Sequence, residues 1–386
     1  MLYRGFSKNF WLMCLASLFF FASFNMIIPE LPKMLRSLGG IKYLGWNIAA
    51  FSLVALLSRP LSGLLTDKIG RIPVMVFGTI VAIIIGFIYP FVSSILLYFV
   101  LRGVHGLAAG FTPTANVAFI DDVIPNHRKG EAMGMVGVAN VVGMSSGPPI
   151  GSWIANTYGL DYTFFASSAV ALLALLIFLT LKETIPVKEK LSYKLITKEN
   201  LKFFAPKAIP PSLVMMLTVF SFGTLLTLAP DYAVYHGFKN KGSFFTYMVI
   251  ASLLSRVVAG KKSDTMGRRK LASFGCLILT LGMIIMAFAN SSFTVVIGAC
   301  TIGFGQGFLS PILFAWAVGV ADPKNKSRAI STIFIALEIG IIAGSLIPGF
   351  IYNDKIENFP LAFAFAASIN AIALFYLLFN KNLKES

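Results

Sequence analysis

A short charged stretch marked by glycines occurs twice in this chain, as Gly63-Leu64-Leu65-Thr66-Asp67-Lys68-Ile69-Gly70-Arg71 and as Gly260-Lys261-Lys262-Ser263-Asp264-Thr265-Met266-Gly267-Arg268-Arg269. Matching residues are displaced by 197 positions, and the displacement extends to Arg59 and Arg256, four residues ahead of each first glycine. A repeat on this scale means two related halves. Both copies sit between long apolar runs, which makes them loops at one face of a membrane protein built by duplication.

The apolar runs are long enough to cross a bilayer, which takes about 20 helical residues for roughly 30 Å of hydrocarbon. Punctuated by charge and turn residues, they fall near 10–32, 44–64, 73–91, 95–120, 132–154, 161–181, 210–230, 243–260, 271–289, 292–318, 329–351 and 358–379. Only 12% of residues are charged, about half the usual share of a soluble domain. Backbone groups in lipid must be satisfied within the segment, and barrel strands would alternate apolar with polar residues over about ten positions. The expectation is therefore an all-α membrane protein of twelve transmembrane helices: a six-helix bundle over 1–182, a cytoplasmic connector over 183–209, and a second bundle over 210–386.

Basic residues set the orientation. With the N-terminus inside, the cytoplasmic side receives Arg4, Lys8, Lys68, Arg71, Arg128, Lys129, seven lysines between Lys182 and Lys207, the 261–270 cluster, Lys324, Lys326, Arg328, Lys381 and Lys384. The outer loops hold only Lys33, Arg36, Lys42, Lys239, Lys241 and Lys355. This bias places both termini in the cytoplasm of a cell carrying the chain in its inner or plasma membrane. The net charge of +16 then reflects topology and lipid contact; no nucleic-acid-binding module accompanies it. The first apolar run is too long for a signal-peptide core and lacks a small-residue cleavage site, so it is expected to be a retained helix. Cys14, Cys276 and Cys300 lie singly in apolar spans, where cysteine is a small packing residue, and their spacing provides no metal cluster.

Several polar residues stand inside the spans. Arg102 lies about seven residues into the fourth, roughly 10 Å deep, and Glu338 about ten residues into the eleventh, roughly 15 Å deep. Charges at such depth line polar cavities or ion paths, or lock helices together. His105 follows Arg102 by one turn, where it either carries protons or hydrogen-bonds cargo or a neighbouring helix. Pro29-Glu30 and Pro230-Asp231 occupy matching places near the ends of the first and seventh spans. There the prolines open the helix ends, and each acid either serves coupling or is solvated at the interface. Asn25, Asn116 and Asn140 are further membrane polar groups, suited to bonds across a helix interface.

In the fifth span Gly143, Gly147 and Gly151 recur every four residues and form a narrow face that admits another backbone, while Pro148 and Pro149 are expected to disturb the helix. A pivot between bundles and a static packing seam both fit this pattern.

Together these motifs resemble the major facilitator superfamily over essentially residues 8–380. Gly63, Asp67, Lys68, Gly70 and Arg71 match its cytoplasmic signature G-x-x-x-D-[R/K]-x-G-R-[R/K]. Gly260, Asp264, Gly267, Arg268 and Arg269 repeat it, with Thr265 in place of the first basic residue. Arg102-Gly103-Val104-His105-Gly106 resembles the fourth-helix R-x-x-x-G signature. The run from Gly143 to Ser152 resembles the G-x-x-x-G-P-x-x-G-G signature of proton-coupled antiporters, with Ser152 replacing the last glycine.

The resemblance implies two six-helix bundles that open alternately to either side. It assigns Asp67 and Arg71 to a cytoplasmic gate in which Arg71 meets the Asp121-Asp122 end of the fourth helix, and it places Arg102 in or beside a proton-coupling network. It does not say which of Glu30, Asp231 and Glu338 carries the proton. The expected activity is proton-coupled export of a small organic compound, an amphiphilic drug or metabolite, by a monomer that uses the proton gradient and no cofactor. A polar cargo such as a sugar or metal-chelating metabolite, or a receptor or scaffold that has lost turnover, are the alternatives. No catalytic motif and no ATP-binding Gly-Lys-Ser/Thr sequence is present, so neither an enzyme nor a self-contained ATP-driven pump is expected.

Overall fold

A computed structural model describes residues 6–124, 129–185, 205–321 and 326–380, giving the backbone alone at 129–131, 257–266 and 326–327. Among these residues the chain is helical throughout, with α1 (Lys8–Ile27), α2 (Leu31–Ser37), α3 (Leu44–Lys68), α4 (Arg71–Ile88), α5 (Ile95–Val123), α6 (Lys129–Thr157) and α7 (Leu160–Thr180). There follow α8 (Ile209–Tyr235), α9 (Ser243–Met266), α10 (Arg268–Ala287), α11 (Ser292–Gly319), α12 (Lys326–Tyr352) and α13 (Phe359–Phe379). Serine hydroxyls start three of them: Ser7 accepts from Phe10 N–H, Ser94 from Leu97 N–H, and Ser291 forms a reciprocal box with Thr294.

Twelve of these helices are long, and α2 prolongs the first. Ten of the stretches are long and apolar enough to cross a membrane among the described residues. The exceptions are α6, whose apolar character is diluted by glycine, serine, asparagine and two prolines, and α9, whose last ten residues are described by backbone alone. The chain is thus an all-α, multi-pass membrane protein.

Prolines act differently from expectation in two places. Pro29 does interrupt its helix: the Ile28 N–H bonds back to Asn25 and a 3₁₀ turn spans Ile28–Glu30. Pro230, by contrast, lies inside α8, which continues to Tyr235, and α6 runs unbroken through Pro148 and Pro149. A proline removes one donor and strains one turn, a loss that membrane helices absorb when neighbours re-satisfy the freed carbonyl.

Packing divides the chain into two compact units, one of Met1–Glu30 and Val54–Leu201, the other of Leu31–Leu53 and Lys202–Ser386. In the first, α1 packs on α6 and α7, and α4 on α5 and α7; in the second, α8 packs on α12 and α13, and α10 on α11 and α13. The contact pattern therefore repeats, as duplication requires.

The repetition reaches individual atoms. In the first unit Ser58 donates to the Ala55 carbonyl at 3.0 Å and stands against Gly110 of α5; in the second Ser255 donates to the Ser252 carbonyl at 2.9 Å and stands against Gly307 of α11. All three positions are displaced by 197 residues. Lipid tails are as apolar as leucine, so helices in a bilayer gain little by burying apolar surface against each other. Close backbone approach at glycines and bonds such as Ser62 Oγ to the Gly110 carbonyl, 2.7 Å, supply the association instead.

Candidate functional site

The repeated stretch is not a loop along its length: residues 63–68 form the last turns of α3 and only Ile69 and Gly70 link it to α4, and the first copy closes into a compact ionic knot. Gly70 ends the loop at φ +135°, a region that favours glycine, and the chain then turns into α4. Arg71, the first residue of α4, reaches back to Asp67 (Nη1–Oδ1, 2.8 Å) and the Thr66 carbonyl (2.6 Å), and across to Asp122 at the end of α5 (Nε–Oδ2, 3.0 Å). Asp122 Oδ2 also accepts from the Thr184 hydroxyl at 2.6 Å. Asp67 is largely exposed, with 72% of its side-chain surface free, whereas Arg71 is largely covered. The guanidinium is the hub, and the two acids are its partners.

The second copy is built differently. Gly267 repeats the positive φ, at +80°, and Arg268 repeats Arg71. The position equivalent to Asp122 is Gly319, however, and the Arg268 guanidinium lies against that glycine. Arg269 donates to the Leu377 carbonyl at 2.5 Å and the Leu378 carbonyl at 3.0 Å, at the end of α13, where helix carbonyls lack intrahelical donors. The side chains of Gly260 and Asp264 lie outside the described residues; Arg256 keeps its Nε buried with no hydrogen-bond partner among those that are described.

Arg102 and His105 are buried together on α5, beside the fully buried Tyr89 and Tyr98. The Tyr89 ring stands 5.9 Å from His105, 6.3 Å from Tyr98 and 5.0 Å from Phe164, and Arg102 is within electrostatic reach of both tyrosines. Asn116 of α5 hydrogen-bonds Ser17 of α1, one of the cross-helix bonds anticipated for the membrane asparagines. Glu338 of α12, in the second unit, is 4% exposed.

Glu30 and Asp231, matched in sequence, occupy unlike settings. Glu30 is 1% exposed and accepts from the Ser152 hydroxyl at 2.9 Å, so the residue that departs from the antiporter signature finds its partner there. Asp231 instead forms a forked pair with Arg36, and the same guanidinium bonds Asp354 at 2.9 Å.

Gly143, Gly147 and Gly151 seat the backbone of α1 at Leu18, Ala22 and Met26, so closely that an added Cβ would strike a main-chain carbonyl at each position. The second unit carries the same device: Gly340 and Gly344 of α12 meet the carbonyls of Met216 and Phe220 on α8. That second seam went unread in the sequence, although the 197-residue displacement of the loops points straight to it.

The sequence profile of the Major Facilitator Superfamily matches residues 13–260 and again 212–386. The chain belongs to this superfamily. It is 29% identical to the multi-drug resistance efflux pump PmrA of Streptococcus pneumoniae (strain ATCC BAA-334 / TIGR4), over 92% of this chain and 94% of the relative. It is 26% identical to multidrug resistance protein 2 of Bacillus subtilis (strain 168), over 92% of each chain. It is also 24% identical to the quinolone resistance protein NorA of Staphylococcus aureus (strain MRSA252), over 92% of each. Solved structures with the same fold include the human organic anion transporter MFSD10 (TETRAN), with a TM-score of 0.73 and 18% identity over 96% of this chain and 100% of that one. A D-xylose-proton symporter gives a TM-score of 0.77 and 15% identity over 97% of each chain. No group of three or more His, Cys, Asp or Glu placed to hold a metal occurs among the described residues.

Proposed function

We propose that this protein exports a small amphiphilic organic compound from the cytoplasm by alternating access, driven by inward proton flow. The observation that carries the reading is its likeness, over 92% of its length, to a chain named as a multi-drug resistance efflux pump and to two named for multidrug and quinolone resistance, and the glycine seam of α6 supports it as the antiporter signature. All twelve long helices cross the membrane, in two pseudo-symmetric bundles over 1–182 and 210–386. The connector 183–209 and both termini are cytoplasmic, and the working unit is a monomer.

In this mechanism the Asp67–Arg71–Asp122 knot is the cytoplasmic gate, whose charge-assisted bonds hold in one state and part in the other. Protonation of an acid among Glu30, Asp231 and Glu338, with Arg102 and His105 beside the path, favours one arrangement, and cargo favours the other. The energy suffices: a proton crossing one pH unit and 100 mV releases about 1.4 plus 2.3 kcal/mol, enough to hold an uncharged cargo at a ratio between about two and three decades.

Inverted vesicles test this. They should accumulate ethidium when a proton gradient is imposed and stop when a protonophore collapses it. Uptake that ignores the gradient would exclude antiport. Accumulation of sugars or metal-chelating metabolites without response to amphiphiles would move the cargo class, and binding without flux would identify a receptor.

A further inference from the structure

Glu183 stands just beyond the end of α7, where the chain leaves the first bundle for the connector, and no sequence pattern marks it. Its Oε1 accepts the backbone N–H of Arg71 at 3.0 Å and its Oε2 that of Ile72 at 3.1 Å. Those are the first two N–H groups of α4, which have no carbonyl within the helix to bond, and the third residue, Pro73, has no N–H at all. One carboxylate thus takes the free donors of the first three positions, at the helix end where negative charge is favoured. Oε1 also accepts from the N–H groups of Thr184 and Ile185, at 2.9 and 3.3 Å, which fixes the carboxylate in place.

Gly70 fits this arrangement in a second way. A Cβ there would run into the Glu183 carboxylate, so the glycine of the repeated loop is required by its seat as well as by its φ. Beside it, the Thr184 hydroxyl and the Arg71 Nε share one oxygen of Asp122. The first residues after α7 therefore hold both the backbone of Arg71 and one acid to which its side chain is bonded.

We infer that Glu183 is a positioning residue of the cytoplasmic gate, clamping the first turn of α4 so that Arg71 reaches Asp67 and Asp122, and thereby tying the connector to the loop. The inference rests on the gate reading above. It goes beyond the signature, which ends at the arginine, by adding an acid from another helix end that acts through Arg71. In the second unit the corresponding place holds Asn380, which carries no charge.

The test uses the full chain with E183A, E183Q, R71A and the double variant R71A/E183A, each checked for folding by size-exclusion profile. Hydrogen exchange read on the segment from 71 to 78 should quicken about tenfold at the first amides of α4 in E183A, because their acceptor is gone. E183Q, which keeps one carbonyl oxygen, should fall between, and it replaces E183A if the alanine variant does not fold. In inverted vesicles, maximal ethidium flux should drop about fivefold in E183A with half-saturation unchanged, and the double variant should be no slower than R71A because the two residues act as one unit. Unchanged exchange in E183A, or losses that multiply in the double variant, would overturn the inference. If the unsubstituted protein moves no ethidium, the cargo reading fails, while the exchange measurement still decides whether Glu183 clamps α4.

Discussion

Asp231 accepts both arms of the Arg36 guanidinium, Nη1 to Oδ1 at 2.9 Å and Nη2 to Oδ2 at 2.5 Å. The pair is two-pronged and the Asp231 side chain is 13% exposed, yet Arg36 is 37% exposed and so remains partly screened by solvent. A double-mutant cycle of R36Q and D231N should therefore give a coupling energy of only about 1 kcal/mol, read from unfolding of the purified protein. The coupling should shrink as salt is raised, since screening shortens from about 10 Å at 0.1 M to 3 Å at 1 M. A coupling near zero at low salt would show that the bond adds no stability.

In the Asp67–Arg71–Asp122 knot, proposed above as the gate, Asp67→Asn should slow transport far more than it loosens the fold. With 72% of its side chain exposed, its pairing with Arg71 contributes less than about 1 kcal/mol to stability. Turnover and melting must be measured on the same preparation, and unchanged flux across a range of cargo concentrations would remove Asp67 from the rate-limiting switch. Asp264→Asn should do less, because its copy of the loop has lost both the basic residue, at Thr265, and the acid equivalent to Asp122, at Gly319.

Glu338→Gln and Arg102→Ala should weaken the link between proton and cargo movement. Both side chains are nearly inaccessible, at 4% and 2% exposure, and charge at such a site is retained for a purpose. Cargo binding, downhill flux and proton movement have to be followed together to separate lost coupling from lost packing. Normal proton-to-cargo coupling in the glutamine variant would eliminate Glu338 as the required carrier.

Gly147→Ala should destabilise the protein by about 1–3 kcal/mol, the usual cost of overfilling a packed contact. Its Cβ would meet the Ala22 carbonyl and stand 3.0 Å from the Met26 nitrogen, whereas Gly134 in the same helix has nothing within 4 Å. Gly134→Ala is therefore the matched comparison and should melt like the parent. Equal melting of the two variants would contradict the seam.

Topology can be read by single-cysteine labelling after Cys14, Cys276 and Cys300 are replaced. Positions in 63–71, 121–131, 183–209 and 260–270 should react from the cytoplasmic side only. Selective labelling within 183–209 from outside intact cells would reverse the orientation.

Much of this was legible in the letters, because duplication and bilayer thickness are both periodic constraints. The two loops, the helix positions and the α6 seam follow from spacing, while the proximity of Arg71 to the Asp121-Asp122 end follows from the resemblance to the superfamily. Apart from the second glycine seam, the features that escaped reading lack a period. Arg36 finds Asp231 across 195 residues, and Glu183 finds the start of α4 across 112, with no local pattern to announce either. Pro230 and Pro148-Pro149 misled for the opposite reason: the local rule is sound, but packing against neighbouring helices outweighs it.

The α1–α6 seam also bears on how far such chains can diverge. Its α6 side depends on three particular residues, while its α1 side offers carbonyls and amides at Leu18, Ala22 and Met26, groups that nearly every amino acid carries. Apart from Met26, whose side chain also stands against Gly151, α1 can exchange one side chain for another without changing the main-chain groups the seam uses, whereas the glycines of α6 are held. Ancestral change should therefore accumulate unevenly across a single helix pair, with one partner drifting while its neighbour stays fixed.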